Sequence, residues 1–456
     1  MRKLAIVIFL VGAVGYSQNK QVLYDFAGLP QTLLLNPGAE VDNKFHVGFP
    51  LISQISVQAG FTGFSVYDIF ADDGININTK IRDAVNNYGT TEFMAFNQQL
   101  EVLSGGFRLK NNSYLSFGYY QELDFLAKIP RDIVDLFYDG NTDINRRYSI
   151  NKLAFRAELF GVLHVGLSKR INNKLQAGAR FKIYSSVFNA STKLNTGSFY
   201  TEEGTNNMYT QHLENVNFLM QTSGVFLDNG EDADGSYVKS KFLFGGDLGL
   251  GLDLGFTYHP KKQWIATGSI LDIGFVKYSK NVRSYSVKGD YEVEGFQLIF
   301  DPNNPEDYWN DLKDKFDNSI VLDTLYKSYI TLRPVKLNGS ISYSFGQEYD
   351  DCRFLINPKV YLNKVGFQLY SSVSAVHSYV AATLFFERRL SKHLQTKITY
   401  TADPYSFSNI GAGLSTQLGI FNAYFVADNL LSLHNLYDAK SASFQLGVNF
   451  IIKHKN

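Results

Sequence analysis

Among 456 residues there is one cysteine, Cys352, with 10 Pro and 2 Trp, and the 43 Lys+Arg are cancelled by 43 Asp+Glu. A single thiol cannot close an internal disulfide, and its Asp350-Asp351-Cys352-Arg353 setting is that of an incidental residue rather than a nucleophile. A formal net charge of zero without a long basic run removes the electrostatic footprint of a nucleic-acid binder, so no nucleic acid is expected as partner. Past the first seventeen residues no apolar run approaches the roughly 18 residues that a membrane-spanning helix needs. What is abundant is 37 Phe, 29 Tyr and 37 Gly within an apolar content of 45%, which excludes disorder. Aromatics fit a pleated surface and Pro interrupts a ladder, so the composition favours strands.

The N-terminus reads as a secretory signal. Arg2 and Lys3 are charged, Leu4 to Val14 are apolar, and Gly15-Tyr16-Ser17 is a small-x-small cleavage site, which places the cut between Ser17 and Gln18. The expected division is a signal peptide at 1–17, an N-terminal segment at 18–43 and a barrel at 44–456. Export of a chain this size without disulfides suits a bacterial envelope.

Along the mature chain, strict alternation recurs. From Phe242 to Tyr258 the even positions carry Phe242, Phe244, Leu248, Leu250, Leu252, Leu254, Phe256 and Tyr258, and the odd ones Asp247, Gly249, Gly251, Asp253, Gly255 and Thr257. Leu163, Val165 and Leu167 precede the turn Asn172-Asn173-Lys174, and Leu175, Ala177, Ala179, Phe181 and Ile183 follow it, alternating with Gln176, Gly178, Arg180 and Lys182. A second hairpin turns at Asn111-Asn112-Ser113, and Phe444 to Ile452 form a terminal strand. The polar face is Gly, Ser, Asp and Gln with isolated Arg and Lys, unlike the Lys, Glu and Thr of a solvated sheet. That pattern points to the lumen of a transmembrane barrel with an apolar outside. The expected fold is all-β: an antiparallel up-and-down transmembrane barrel of about 14 strands (roughly 12 to 16) at some 30 residues per strand with its loops. His164, Arg180, Lys182, Asp247 and Asp253 are expected to face the lumen, and an N-terminal segment to lie inside it. Short helices are expected in loops at Asn304 to Phe316 and at Pro130 to Tyr138, the second with Ile129, Ile133, Leu136 and Phe137 on one face.

Chemistry-bearing motifs are scarce. Asp139-x-Asn141-x-Asp143 opens like a calcium loop, but Ile144 stands where the tight-turn Gly belongs and Ile150 where a closing Glu would. Asp228 to Gly235 is acidic but out of frame. The eight His show no zinc-ligand spacing, and there is no Gly-x-Ser-x-Gly elbow. No metal, cofactor or catalytic residue is expected, and the chain is read as non-enzymatic.

Gly28 to Ala39 contains Asn36-Pro37-Gly38 where barrels resembling FadL and PorV carry Asn-Pro-Ala in a segment inside the lumen. With Ser269-Ile270-Leu271-Asp272-Ile273-Gly274, Val426-Ala427-Asp428-Asn429-Leu430 and the terminal Asn449-Phe450-Ile451-Ile452, the chain resembles a Bacteroidota outer-membrane barrel family of unknown function, the domain-of-unknown-function 5723 type. It is more loosely similar to PorP/SprF-like barrels. Gly38 departs from the usual Ala, and Lys453-His454-Lys455-Asn456 runs past the terminal aromatic. The resemblance implies the outer membrane of a Gram-negative bacterium, with its lipid and the barrel-assembly machinery as partners. Asn-Pro and Pro-Gly also favour a plain turn before the first strand, a reading compatible with a segment in the lumen. Two functions follow. One is passive transport of a small or hydrophobic molecule; the alternative is a structural barrel that binds secretion, gliding or surface proteins. An enzyme acting on lipids has no residues in its favour.

Overall fold

The computed structural model describes residues 21–204, 209–225, 235–294, 322–348, 360–405, 409–430 and 440–453. The signal at 1–17 with Ser17 and Gln18, the acidic stretch at 228–234, the Asn304 to Phe316 helix, Cys352 and the tail beyond Lys453 lie outside the described residues.

Alternating residues set the fold: an apolar face in lipid and a polar face within leave the backbone ladder to close on itself, since an open edge in hydrocarbon would strand its N–H and C=O groups. Among the described residues twenty strands do this as a closed antiparallel barrel of 14 wall positions. The seam is sealed by Asn43–Gly48 and Ile55–Phe61, two pieces of one position, which pair with Ser441–Lys453 on one side and Thr91–Arg108 on the other. Tyr114–Pro130, Ala154–Arg170 and Leu175–Glu203 follow in order. Most connections at one end are tight turns, such as Leu109 to Ser113 and Ile171 to Lys174, whereas the other end bears the helices Val66–Phe70, Ile77–Asn86 and Arg131–Asp139. Short turns face the periplasm in such barrels and long loops the exterior.

Another wall position is also made in pieces. The long strand Leu175–Glu203 pairs through residues 175–186 with Asp247–Lys261 and through 189–203 with Tyr209–Ser223. Those two partners run in the same direction, and the chain leaves the wall between them. The expected strand from Phe242 is therefore shortened. Phe242 and Phe244 lie in the turn Lys241–Gly245, which follows the helix Gly235–Ser240, and both Leu243 (ψ 48°) and Phe244 (φ 68°) depart from extended backbone there. From Asp247 onward the alternation holds, with Leu248, Leu250, Leu252, Leu254, Phe256 and Tyr258 exposed outward and Asp247, Gly249, Gly251 and Asp253 buried. Ten residue steps at a rise of ~3.4 Å and a tilt of ~40° give a belt about 26 Å tall, which matches the apolar band of outer-membrane barrels. At its turn end Trp264 and Tyr343 stand together outward, ring centroids 5.2 Å apart, as an interfacial girdle.

The loop helices differ from expectation. Arg131–Asp139 does not bury an apolar stripe: Phe137 is 93% exposed, and the buried residue is Asp135, paired with Arg146 and with Arg131 at 3.6 Å. Its orientation is set by ion pairs. Val66–Phe70 carries a capping box between Ser65 and Asp68, a signal present in the sequence but too short to carry a helix alone.

A charge at the belt's mid-height tests the wall assignment. Leu252→Arg is expected to destabilise the barrel by about 2–4 kcal/mol, read by urea titration of protein refolded in phospholipid vesicles. A change within error would place Leu252 away from lipid.

Candidate functional site: the lumen and its N-terminal segment

Residues 21–42 run inside the wall, touching inward-facing side chains around the ring. Val22, Leu23, Phe26 and Leu29 pack with Tyr424 and Val426, while Leu33, Ala39 and Val41 pack with Tyr114. Leu34 joins Tyr120, Phe160, Val162 and Tyr184. Inward glycines make the room. A Cβ on Gly178 would collide with the Pro37 carbonyl, one on Gly255 with the Asn36 side chain, and those on Gly411 and Gly413 with Val22 and Phe26.

A chain buried this way must bond its backbone groups. The turn Pro30–Leu34 satisfies some internally, with Pro30 at its first position. The wall supplies donors for the carbonyls that remain. Arg180 donates from Nη1 to Leu33 O and from Nη2 to Leu34 O, both at 2.7 Å. Lys397 Nζ donates to Tyr24 O at 2.7 Å, Lys364 Nζ to Asp25 O at 2.8 Å, and Arg108 Nη2 to Val41 O at 2.5 Å. Ser269, Thr257 and Gln176 donate to Leu35, Gly38 and Ala39 carbonyls at 2.6, 2.9 and 2.9 Å. Asn36 shapes the local turn: its Oδ1 accepts from Gly38 N at 2.9 Å and its Nδ2 donates to Phe256 O at 3.1 Å. At the turn-end mouth Glu40 meets His259 at 2.9 Å and Arg170 at 3.4 Å. Burial opposes ionisation of Glu40, but bonding to His259 and the charges of His259 and Arg170 outweigh it and hold its carboxyl below the usual range.

Above the segment sits a layer of paired charges. Arg180 and Lys182 both contact Asp253, at 2.5 and 2.9 Å, and Lys182 also contacts Asp272 at 2.5 Å. Lys336 reaches Asp272 at 3.0 Å, Arg333 reaches Glu158 at 2.5 Å, and Arg156 reaches Asp124 at 2.6 Å. Apart from the half-buried Lys336 and Asp124 these groups are buried, so each such ion depends on its partner: removing one member of a buried pair typically costs about 3–5 kcal/mol. Between this layer and the long-loop end lies a cavity with about 950 Å³ of space between side chains, open solvent included. Gln58, Asn97, Gln99, Glu122, Asn338 and Tyr370 are among its walls, and its floor is Leu34 and Leu35.

Of the residues singled out from sequence, Arg180, Lys182 and Asp253 come together in the ion layer, with Asp253 fully buried. Asp247 faces inward but serves a turn, accepting from Ser223 Oγ at 2.8 Å and Ser279 N at 2.9 Å. His164 is buried 5.7 Å from the Tyr120 ring, and neither of its ring nitrogens has a hydrogen-bond partner. Asn36, Pro37 and Gly38 lie against Gly178 and Gly255. Asn141, from the calcium-like stretch, donates to Thr201 Oγ1 and Gln211 Oε1 at 3.0 and 3.1 Å. Among the described residues no group of three or more His, Cys, Asp or Glu is placed to hold a metal ion. Sequence reading missed Asp272, Arg333, Lys336, Lys364 and Lys397. Lys364 was within reach, since Lys364, Gly366 and Gln368 alternate with Val365, Phe367 and Leu369.

Wall and lumen define the class: a transmembrane β-barrel with an N-terminal segment bonded inside it. Residues 37–428 match the family model described as "Family of unknown function (DUF5723)", and the chain belongs to that family. No curated protein matches it. Among solved structures it is similar to the Ralstonia pickettii toluene transporter TbuX, at 10% identity over 97% of this chain and 96% of that one with a TM-score of 0.39. It is also similar to a Pseudomonas aeruginosa FadL homologue, at 8% identity over 96% and 100% with a TM-score of 0.44. The Pseudomonas putida toluene transporter TodX gives 10%, 92%, 93% and 0.38 in the same order.

The packing at Gly38 accounts for its departure from Ala. A Cβ there would run into Gly255 O and stand 2.6 Å from Phe256 Cα, both backbone atoms that cannot swing aside. Gly38→Ala is therefore expected to weaken docking of the segment by about 1–3 kcal/mol, read as faster protease cleavage within residues 21–42 while the wall stays resistant. Unchanged cleavage would mean that the segment does not lodge against Gly255.

Proposed function

We propose that the chain is a non-enzymatic transport barrel of a Gram-negative outer membrane, exported by its signal peptide and inserted by the barrel-assembly machinery, with residues 18–43 acting as a plug. The observation that supports this reading is the set of bonds from the wall to carbonyls between Tyr24 and Val41, which hold the segment inside the wall below the cavity. A segment held by these bonds has to shift before a solute passes. Amides, tyrosines and charges of both signs share the lining of that cavity with Leu34, Leu35, Phe96, Phe125, Leu126 and Leu271, a mixed wall that suits a small solute with polar and apolar parts.

Liposome swelling and planar-bilayer conductance test it. The full barrel is expected to pass little current, and deletion of residues 18–43 to open a steady conductance that admits small sugars and amino acids. Absence of permeation in both forms would overturn the transport reading.

A second reading, a barrel serving secretion or surface proteins, is favoured by apolar side chains at the long-loop end: Phe137, and Phe70 and Ile75, which are 69% and 54% exposed. A cross-linked pull-down that returns only barrel-assembly factors would count against it.

A further inference from the structure

The insert that interrupts the wall lies on the lipid side. Tyr119 Oη donates to Phe242 O at 2.9 Å and Ser185 Oγ to Lys241 O at 2.6 Å, and a Cβ on Gly161 would stand 2.9 Å from Phe242 O. Tyr119, Gly161 and Ser185 occupy outward positions: they alternate with the inward Tyr120, Val162 and Tyr184, and Ser185 pairs across to Gly161 and to the outward Leu248. The outer wall here is covered by the insert and not by lipid, which is why Ser185 is buried although it points away from the lumen.

Height follows from the same register. The insert rejoins the wall at Asp247, one residue before Leu248, the last outward leucine of the apolar belt on that strand. Beyond it the sheet of Tyr209–Ser223 with Val282–Glu294 turns Phe218, Met220, Tyr285 and Val287 outward before the exposed Asn215, Asn217, Lys288 and Asp290. The insert stands a belt height of about 26 Å from the Trp264–Tyr343 girdle, at the rim where hydrocarbon gives way to headgroups on the long-loop side. Leu243 and Phe244 are exposed at this rim beside Leu248 and Phe275.

Lysines gather at the same place. Lys239 and Lys241 belong to the insert, Lys277 ends the outward row above Phe275, and Lys280 follows in the next turn. Two of them are held in position: the Lys241 ammonium lies over the Tyr237 ring, 5.0 Å from its centroid, and Lys280 Nζ donates to Gly245 O and Gly246 O at 2.9 and 3.0 Å. Burial and the charge of Lys280 pull Lys241 below its ordinary value, as expected of two cations sharing one edge. Among the described residues none of the four has a carboxylate within ion-pair distance, and Asp247, the nearby acid, faces the lumen with its oxygens taken by Ser223, Ser279 and the Lys280 backbone N–H. Cations at a membrane rim without internal counter-charge, flanked by aromatic and aliphatic side chains, match an anionic headgroup whose acyl chains lie along the wall.

We propose that the insert is a binding site for a phosphate-bearing lipid of the outer leaflet. Lys239, Lys241 and Lys280 take the phosphate, and Leu243, Phe244, Leu248 and Phe275 take the acyl chains. This assignment rests on the barrel wall alone and is independent of what passes through the lumen.

Native mass spectrometry of the full barrel, titrated in detergent with phosphatidylglycerol or phosphatidylcholine, reads the site directly. Wild-type protein is expected to retain phosphatidylglycerol in preference to phosphatidylcholine, and excess inorganic phosphate is expected not to displace it. A Lys239→Gln, Lys241→Gln, Lys280→Gln variant should lose roughly tenfold to a hundredfold in phosphatidylglycerol affinity with phosphatidylcholine retention unchanged. A Lys110→Gln, Lys174→Gln, Lys261→Gln control, altered at the opposite end, should match the wild type. Equal loss in both triple variants would overturn the proposal, as would complete displacement by inorganic phosphate. So would a wild type without lipid preference that gains one when Glu231, Asp232 and Asp234 become Gln or Asn, since the lysines would then be neutralised within the chain. Heat-shifted mobility on gels, which reports a folded barrel, is expected to be the same for all variants, and the single Lys241→Arg should keep the preference.

Discussion

A peptide backbone packed against a barrel wall must find partners for its buried polar groups, and the interior of this one is organised by that constraint. Residues 21–42 bring carbonyls into a space where each unpaired polar group costs about 1–3 kcal/mol. The wall answers with cationic and hydroxyl donors: Arg180 to Leu33 and Leu34, Lys397 to Tyr24, Lys364 to Asp25, Ser269 to Leu35. Two of those cations have counter-charges of their own, Asp253 for Arg180 and Glu387 for Lys364. Glycines at Gly178, Gly255, Gly411 and Gly413 are the steric half of the same arrangement.

The outer face answers to a different constraint. Hydrocarbon accepts Leu248 through Phe256 without specific partners, so alternation suffices there and packing detail matters little. Specificity on that side is concentrated where alternation stops, at the insert Gly235–Gly245, whose polar backbone is accommodated by the Tyr119 and Ser185 hydroxyls. Inside and outside thus use the same device, a wall side chain donating to a foreign carbonyl, for two segments that are not part of the ladder.

The two faces also differ in how much of them can be read from the chain. Alternation from Leu248 to Tyr258 identifies an outward row because each step is local and repeated. It misplaces Phe242 and Phe244 for the same reason: they keep the parity of the row, and the turn Lys241–Gly245 takes them off the strand. Parity likewise puts Arg180, Lys182 and Asp253 on the polar face but says nothing of what they hold, since the Leu33 carbonyl is 147 residues from Arg180. Helix Arg131–Asp139 shows the converse, where an apolar alignment visible in sequence is overridden by Arg131 and Arg146 on Asp135. Local period was legible; partnerships across the lumen were not, because they depend on closure of the whole ring.

The account stands on the N-terminal segment being a bonded part of the interior. Hydrogen exchange of the intact barrel in lipid, followed at the amides of residues 22–36, measures this most directly. Amides bonded within the segment, such as Thr32, Leu35 and Asn36, are expected to exchange as slowly as those of the wall strand Leu175–Glu203. Exchange at the rate of an unstructured peptide, with the wall still protected, would contradict it.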